Sequence, residues 1–199
     1  MNNKNNKLSI GIAALFEIIL ITTAIFNIVS KQWKDLTISL IAIVCIILPF
    51  IITYIANIKN LALPPNFQLI SLSFILFAQY FGEILKFYRK FFWWDLFLHA
   101  LFGSYAVIVA LYLIKGVVKK EKETSENRFT IFTIIFAFCF SITLGTLWEM
   151  FEFAGDFLFK SHMVKGGLVD TSTDILIKIL SAFITSIVYY YRNRKLIKS

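Results

Sequence analysis

Charged residues are scarce in this sequence: Asp, Glu, Lys and Arg make up 16% of 199 residues, where a soluble fold needs roughly a quarter to cover its surface. Cysteine and histidine are scarcer still, at two each. Lying far apart in the sequence, they offer no disulfide framework and no zinc-finger ligand spacing. Cys45 and Cys139 both lie inside apolar runs and read as small core or lipid-facing residues. There is no HExxH, no Ser-His-Asp ordering, no nucleotide-binding loop, no haem motif and no phosphate-cradling glycine run, so no organic cofactor is implied. Proline occurs three times: Pro49 is placed to kink a helix, and Pro64 and Pro65 suit a turn.

What the sequence has instead is long apolar runs, with 58% hydrophobic and 17% aromatic residues. They predict six transmembrane helices at about 8–29, 36–56, 67–87, 93–114, 129–153 and 171–191, each long enough to cross a hydrocarbon core of about 30 Å. The runs are continuous rather than alternating, which excludes a β-barrel. The expected fold is therefore all-α, a polytopic membrane bundle forming a single integral membrane domain over 1–199. The N-terminal segment has the charge order of a signal peptide, but its apolar stretch is too long and carries Glu17, so it reads as a retained first span. The +8 net charge flanks apolar spans, which argues for contact with the lipid bilayer and no nucleic-acid partner.

Six spans put both termini on one face. That face carries Lys4, Lys7, Lys59, Lys115, Lys119, Lys120, Lys122, Arg128, Arg192, Arg194, Lys195 and Lys198. The other carries Lys31, Lys34, Lys86, Arg89, Lys90, Lys160 and Lys165. The bias favours cytoplasmic N- and C-termini in a bacterial plasma membrane. Trp33, Trp93, Trp94 and Tyr189, Tyr190 and Tyr191 fall where interfacial aromatic anchors belong.

The acidic residues then become informative. Glu121, Glu123 and Glu126 belong to the charged cytoplasmic loop at 119–127, whereas Glu83, Asp95, Glu149, Glu152, Asp156, Asp170 and Asp174 gather at the outer ends of helices three to six. At about 1.5 Å per residue, Glu83, His99, Asp174 and Glu149 sit some 24 to 30 Å above the cytoplasmic ends of their helices, in one layer. Residues three, four or seven apart share a helix face. Asp95, His99 and Gly103 therefore form one stripe, Gly145, Glu149, Glu152 and Asp156 a second, Asp170, Asp174 and Lys178 a third, and Gln79 and Glu83 a shorter fourth. Gly103 and Gly145 are expected to let helices four and five approach beneath a polar pocket. Lys178 can neutralise part of the acidic cluster.

Acids at helix ends can also lie simply in the head-group region, and Asp95 and Asp170 can serve as ordinary N-terminal caps. That account is weaker for Glu83, His99, Glu149 and Asp174, placed at hydrocarbon depth, where an ionisable side chain is expensive unless paired or hydrated. Glu17 has no evident partner in sequence and stays outside the site. His162 reads as a solvated loop residue.

The segments FGEILKFY at 81–88, WWDLFLH at 93–99, WEMFE at 148–152 and DTSTD at 170–174 together resemble the YjdF-like family of uncharacterised bacterial integral membrane proteins. More distantly they resemble the VanZ-like family, associated in some members with glycopeptide resistance. The likeness covers about 80–182 and implies family membership without an established reaction. It departs where Lys178, Ser181 and Ala182 stand in place of the acid or Asn and Gly-Ala that often follow the last motif. Read from the residues, three functions are open. The first is an outward-facing site that binds or acts on an envelope lipid or small amphiphile. It would be a metal-dependent membrane enzyme in which His99, Glu149, Glu152, Asp170 and Asp174 hold a divalent cation (Mg²⁺, Mn²⁺ or Zn²⁺), His99, Glu149 and Glu83 supply acid-base chemistry, and Asp95 and Asp156 line the mouth. The second is a proton- or cation-coupled transporter or sensor. The third is a structural accessory protein whose polar network only fixes packing.

Overall fold

A computed structural model describes residues 3–159 and 166–198 of the chain. Among the described residues the fold is entirely helical, and six helices are long and apolar enough to cross a membrane: Lys7–Val29, Trp33–Ile58, Phe67–Ile84, Trp93–Val117, Glu126–Leu158 and Leu168–Asn193. The all-α, six-span architecture expected from the apolar runs is what the chain adopts. The protein divides into two compact units, Met1–Trp94 and Asp95–Ser199.

In the first unit, α1 (Asn3–Val29) and α2 (Trp33–Ile58) are joined by a tight turn. The turn closes through the Gln32 N–H to the Asn27 carbonyl at 2.8 Å and puts Lys31 at φ +55°. Close to the turn the buried Asn27 amide donates to Ser39 Oγ at 3.2 Å, a polar rivet that keeps both groups satisfied away from water. Below it Ala13, Leu20, Ala42, Ile46 and Leu72 form the core, flanked by Phe16, Phe50 and Tyr80. Pro49 lies inside α2, and the Thr53 hydroxyl donates to its carbonyl at 2.7 Å. Pro64 serves the turn before the third span, its carbonyl accepting from the Phe67 N–H.

The third span differs from the uninterrupted helix expected over 67–87. It begins as α3 (Phe67–Ile75), continues as a π-helix over Leu76–Ile84, and is followed by the single turn α4 (Phe87–Lys90). A π-helical segment carries a wider ring of backbone bonds, and no apolar periodicity announces it. Gly82 lies against the Tyr88 ring, so the chain folds back there without room for a Cβ. Lys86, at φ +62°, makes the bend. Around it Phe77, Phe81, Phe87, Phe91 and Trp94 form a cluster of mostly edge-to-face rings with centroids 5.0 to 6.3 Å apart.

The second unit is built from α5 (Trp93–Val117), α6 (Glu126–Phe159) and α7 (Leu168–Lys198). α7 continues past its apolar span to Lys198, whereas α5 and α6 end with theirs or one residue beyond. The Ser125 hydroxyl caps α6 by accepting from the Arg128 N–H at 3.3 Å. The core is Val107, Ala110, Leu111, Ala137 and Ala182. Its three alanines let the helix backbones come close, which is how helices associate where lipid competes equally for apolar surface. At the far end from the acidic residues, the Lys115 ammonium lies 5.6 Å from the Tyr189 ring centre. Cys45 is half-buried in α2, and Cys139 is exposed on α6.

Candidate functional site

The chemistry-bearing residues of the second unit collect at one end because α5 and α7 start where α6 finishes. Asp95 stands in the first turn of α5 and Asp170 in the first turn of α7, where the positive end of the helix dipole favours a carboxylate. One turn further on, at the i+4 positions, stand His99 and Asp174. His99 Nε2 lies 3.3 Å from Asp95 Oδ1 and 3.3 Å from Asp174 Oδ2. The side chains of His99 and Asp174 are 10% and 4% exposed and that of Asp95 is 30% exposed. Two carboxylates from different helices thus converge on a single imidazole nitrogen. The three ligand atoms lie within 4.8 Å of one another.

A second pair sits beside this cluster. Lys178, one turn beyond Asp174 on α7, is ion-paired with Glu149 of α6, and the two side chains are 2% and 3% exposed. The slot for the lysine is made by absent side chains. A Cβ on Gly145 would fall 2.9 Å from Lys178 Cδ, and one on Gly103 would fall 2.6 Å from the Lys178 carbonyl oxygen. The two glycines, expected to bring helices four and five together, thus make room chiefly for α7. The α5–α6 approach is made by Ser141, whose hydroxyl donates to the Gly103 carbonyl at 2.8 Å. Ser181 donates to the Lys178 carbonyl at 3.0 Å.

The remaining candidates are placed as follows. Glu152 is half-buried one turn beyond Glu149 and accepts from the Trp148 indole N–H at 2.8 Å. It interacts electrostatically with Glu149, His99 and Lys178. Asp170 and Asp156 are half-buried, on α7 and in the last turns of α6. Glu83 belongs to the first unit, half-buried on the π-helical segment. Glu17, also in the first unit, is half-buried on α1. His162 lies outside the described residues. Asp95, expected at the mouth and on one stripe with His99, is 30% exposed and lies against that histidine. Sequence reasoning missed Trp148, although the four-residue spacing to Glu152 was available as a signal, and it missed Ser141 and Ser181 as packing contacts, for which sequence offers none.

Three side chains with one nitrogen and two or more oxygens suit a divalent cation. At metal–ligand distances near 2.1 Å, neighbouring donors in tetrahedral or octahedral geometry are roughly 3.0 to 3.4 Å apart, and the two separations of 3.3 Å fall in that window. They are longer than a charge-assisted hydrogen bond of about 2.7 to 2.9 Å. With Glu149 paired to Lys178, the carboxylates left around His99 are those of Asp95, Asp174 and the half-buried Glu152.

The family model described as "Predicted membrane protein (DUF2238)" matches residues 12–195. An uncharacterized protein of Thermotoga maritima is 28% identical over 137 residues, which are 69% of this chain and 68% of that one. No solved structure matches. The distant likeness to the VanZ-like family gains no support from these matches. A match over nearly the whole length, reaching into all six spans, means that the chain belongs to the DUF2238 family of membrane proteins.

Proposed function

We propose that the second unit binds one divalent cation through Asp95, His99 and Asp174, and uses it to bind or act on the head group of an envelope lipid or small amphiphile at the outer leaflet. The observation that carries this reading is the convergence of Asp95 and Asp174 on His99 Nε2 from two helices. Two carboxylates brought together at hydrocarbon depth repel each other and are poorly solvated, so such an arrangement calls for a counter-charge. A cation held by Asp95, His99 and Asp174 would supply it, as a protonated His99 would, and the cation would also polarise a phosphate or carbonyl oxygen and lower the pKa of bound water. With His99 a ligand and Glu149 paired to Lys178, half-buried Glu152 is the carboxylate beside the cluster left to serve as acid or base.

The test is calorimetric titration of chelator-stripped protein in lipid nanodiscs with Mn²⁺, Zn²⁺ and Mg²⁺, beside a profile of copurified lipids. The reading expects one saturable ion per chain, lost in His99→Gln and Asp174→Asn, with an enriched lipid class that disappears in the same variants. Stable, folded protein that binds none of the three ions would overturn it.

A proton- or cation-coupled transporter is the second reading, favoured by the buried Glu149–Lys178 pair one turn from the cluster, which gives two adjoining sets of exchangeable charges. Ion flux in proteoliposomes that stops in His99→Gln would select it. Loss of stability alone, with neither ion binding nor flux in the wild type, would select the scaffold.

A further inference from the structure

The buried lysine is the feature that neither the cation site nor the packing requires. A bundle of this kind seals its core with small residues, and the second unit already does so at Ala110, Ala137 and Ala182. At the level of Lys178 it instead removes side chains from two helices, at Gly103 and Gly145, to admit a charged group. It then binds the lysine backbone through Ser181 and sets the ammonium on Glu149 with 2% of the lysine side chain exposed. Replacing such a pair by apolar residues of similar volume is often neutral or stabilising, so stability does not explain the slot.

We propose that Lys178 acts as a tethered cation that withholds Glu149 from the adjoining Asp95–His99–Asp174 site and so restricts that site to a single divalent ion. This rests on the cation reading above. Lys178 stands four residues beyond Asp174, on the same face of α7 and one turn, about 6 Å, away. It interacts electrostatically with His99. Glu149 and Glu152 are four and seven residues beyond Gly145 on one face of α6 and are coupled to each other. Without the ammonium, Glu149 would stand unpaired beside Glu152, whose carboxylate interacts with His99. A carboxylate-rich set of that kind, with one imidazole, has donors enough for two hard cations, whose bridging spacing is about 3.5 to 4 Å. With the ammonium in place, one of the positive charges is covalent.

The experiment counts Mn²⁺ per chain by electron paramagnetic resonance and metal analysis in nanodiscs, for wild type, Lys178→Met and the double variant Lys178→Met/Glu149→Gln. The expected result is one ion for wild type. Lys178→Met should take up a second ion, or bind the first at least tenfold more tightly, with a thermal stabilisation by Mn²⁺ larger than in wild type. The double variant, which buries no lone charge, should return to one ion within about threefold of wild-type affinity. Three outcomes would overturn the proposal: Lys178→Met folded and identical to wild type in Mn²⁺ binding, the double variant keeping the gain, or the double variant losing tenfold or more, which would make Glu149 a ligand in the native site. The double variant decides the matter even where the single one does not fold. Absence of Mn²⁺ from wild type would instead remove the underlying cation reading, and the role of Lys178 with it.

Discussion

Gly103 of α5 lies against the backbone of Lys178 of α7: a Cβ added to the glycine would stand 2.6 Å from the lysine carbonyl oxygen and 3.0 Å from its Cα. Backbone cannot yield as a side-chain tip can. Gly103→Val is expected to destabilise the second unit by about 1 to 3 kcal/mol, the usual cost of overpacking. At Gly145 the obstacle is the flexible Lys178 Cδ at 2.9 Å, and Gly145→Ala also gains about 1 kcal/mol of helix propensity. Thermal unfolding in one detergent should therefore rank Gly103→Val well below Gly145→Ala. Equal melting temperatures would contradict the packing described.

The two aspartates on His99 differ in exposure, 4% for Asp174 against 30% for Asp95. Water can take over part of the role of the more exposed ligand. Asp174→Asn should weaken divalent-cation affinity by an order of magnitude or more, and Asp95→Asn by less, on the scale of about 10- to 100-fold seen for changes around metal sites. Calorimetry on both variants gives the order, and the reverse order would shift the centre of the site toward Asp95.

Backbone protection should mark the π-helical stretch. Its bonds reach five residues along the chain instead of four and it runs into the bend at Lys86, so amides over 76–84 are expected to exchange with deuterium faster than those at the centre of α5. Hydrogen exchange with mass spectrometry in nanodiscs measures this directly. Uniform protection across both segments would argue for an ordinary α-helix in the bilayer.

The distribution of Lys and Arg predicts cytoplasmic termini. A cytoplasm-dependent reporter inserted in 119–127 should be active, and one inserted in 160–165 inactive. The opposite pattern would turn the candidate site to the cytoplasmic leaflet and withdraw the envelope lipid as its ligand.

The spans were legible because each apolar run is long, and because lipid leaves a chain of this composition little besides helix. The Asp95, His99 and Asp174 stripes were legible too, since four-residue spacing fixes a face without tertiary information. Which stripe meets which was not. Periodicity puts Glu149 and Lys178 at similar depths, but their pairing depends on the rotation of α6 and α7, and that rotation is set by the absent side chains of Gly145 and Gly103 and by the Ser141 hydroxyl on a carbonyl. Likewise, Leu76–Ile84 has the composition of an α-helix, and its spacing marks neither the π geometry nor the close fit of Gly82 against the Tyr88 ring.

The Glu149–Lys178 pair also bears on how the protein is made. The span Leu168–Asn193 carries Asp170, Asp174 and Lys178, and its most apolar 18-residue stretch has a mean hydropathy of 1.5, against 2.8 for that of Trp33–Ile58. On translocon scales a lone charged residue at a helix centre costs about 2.5 to 3.5 kcal/mol, so α7 by itself is a poor candidate for lateral release into lipid. Its lysine finds its counter-charge on the helix synthesised just before it. The last two spans are therefore expected to leave the translocon as a hairpin rather than one after the other, and Glu149, a side chain on α6, becomes a determinant of whether α7 is integrated at all.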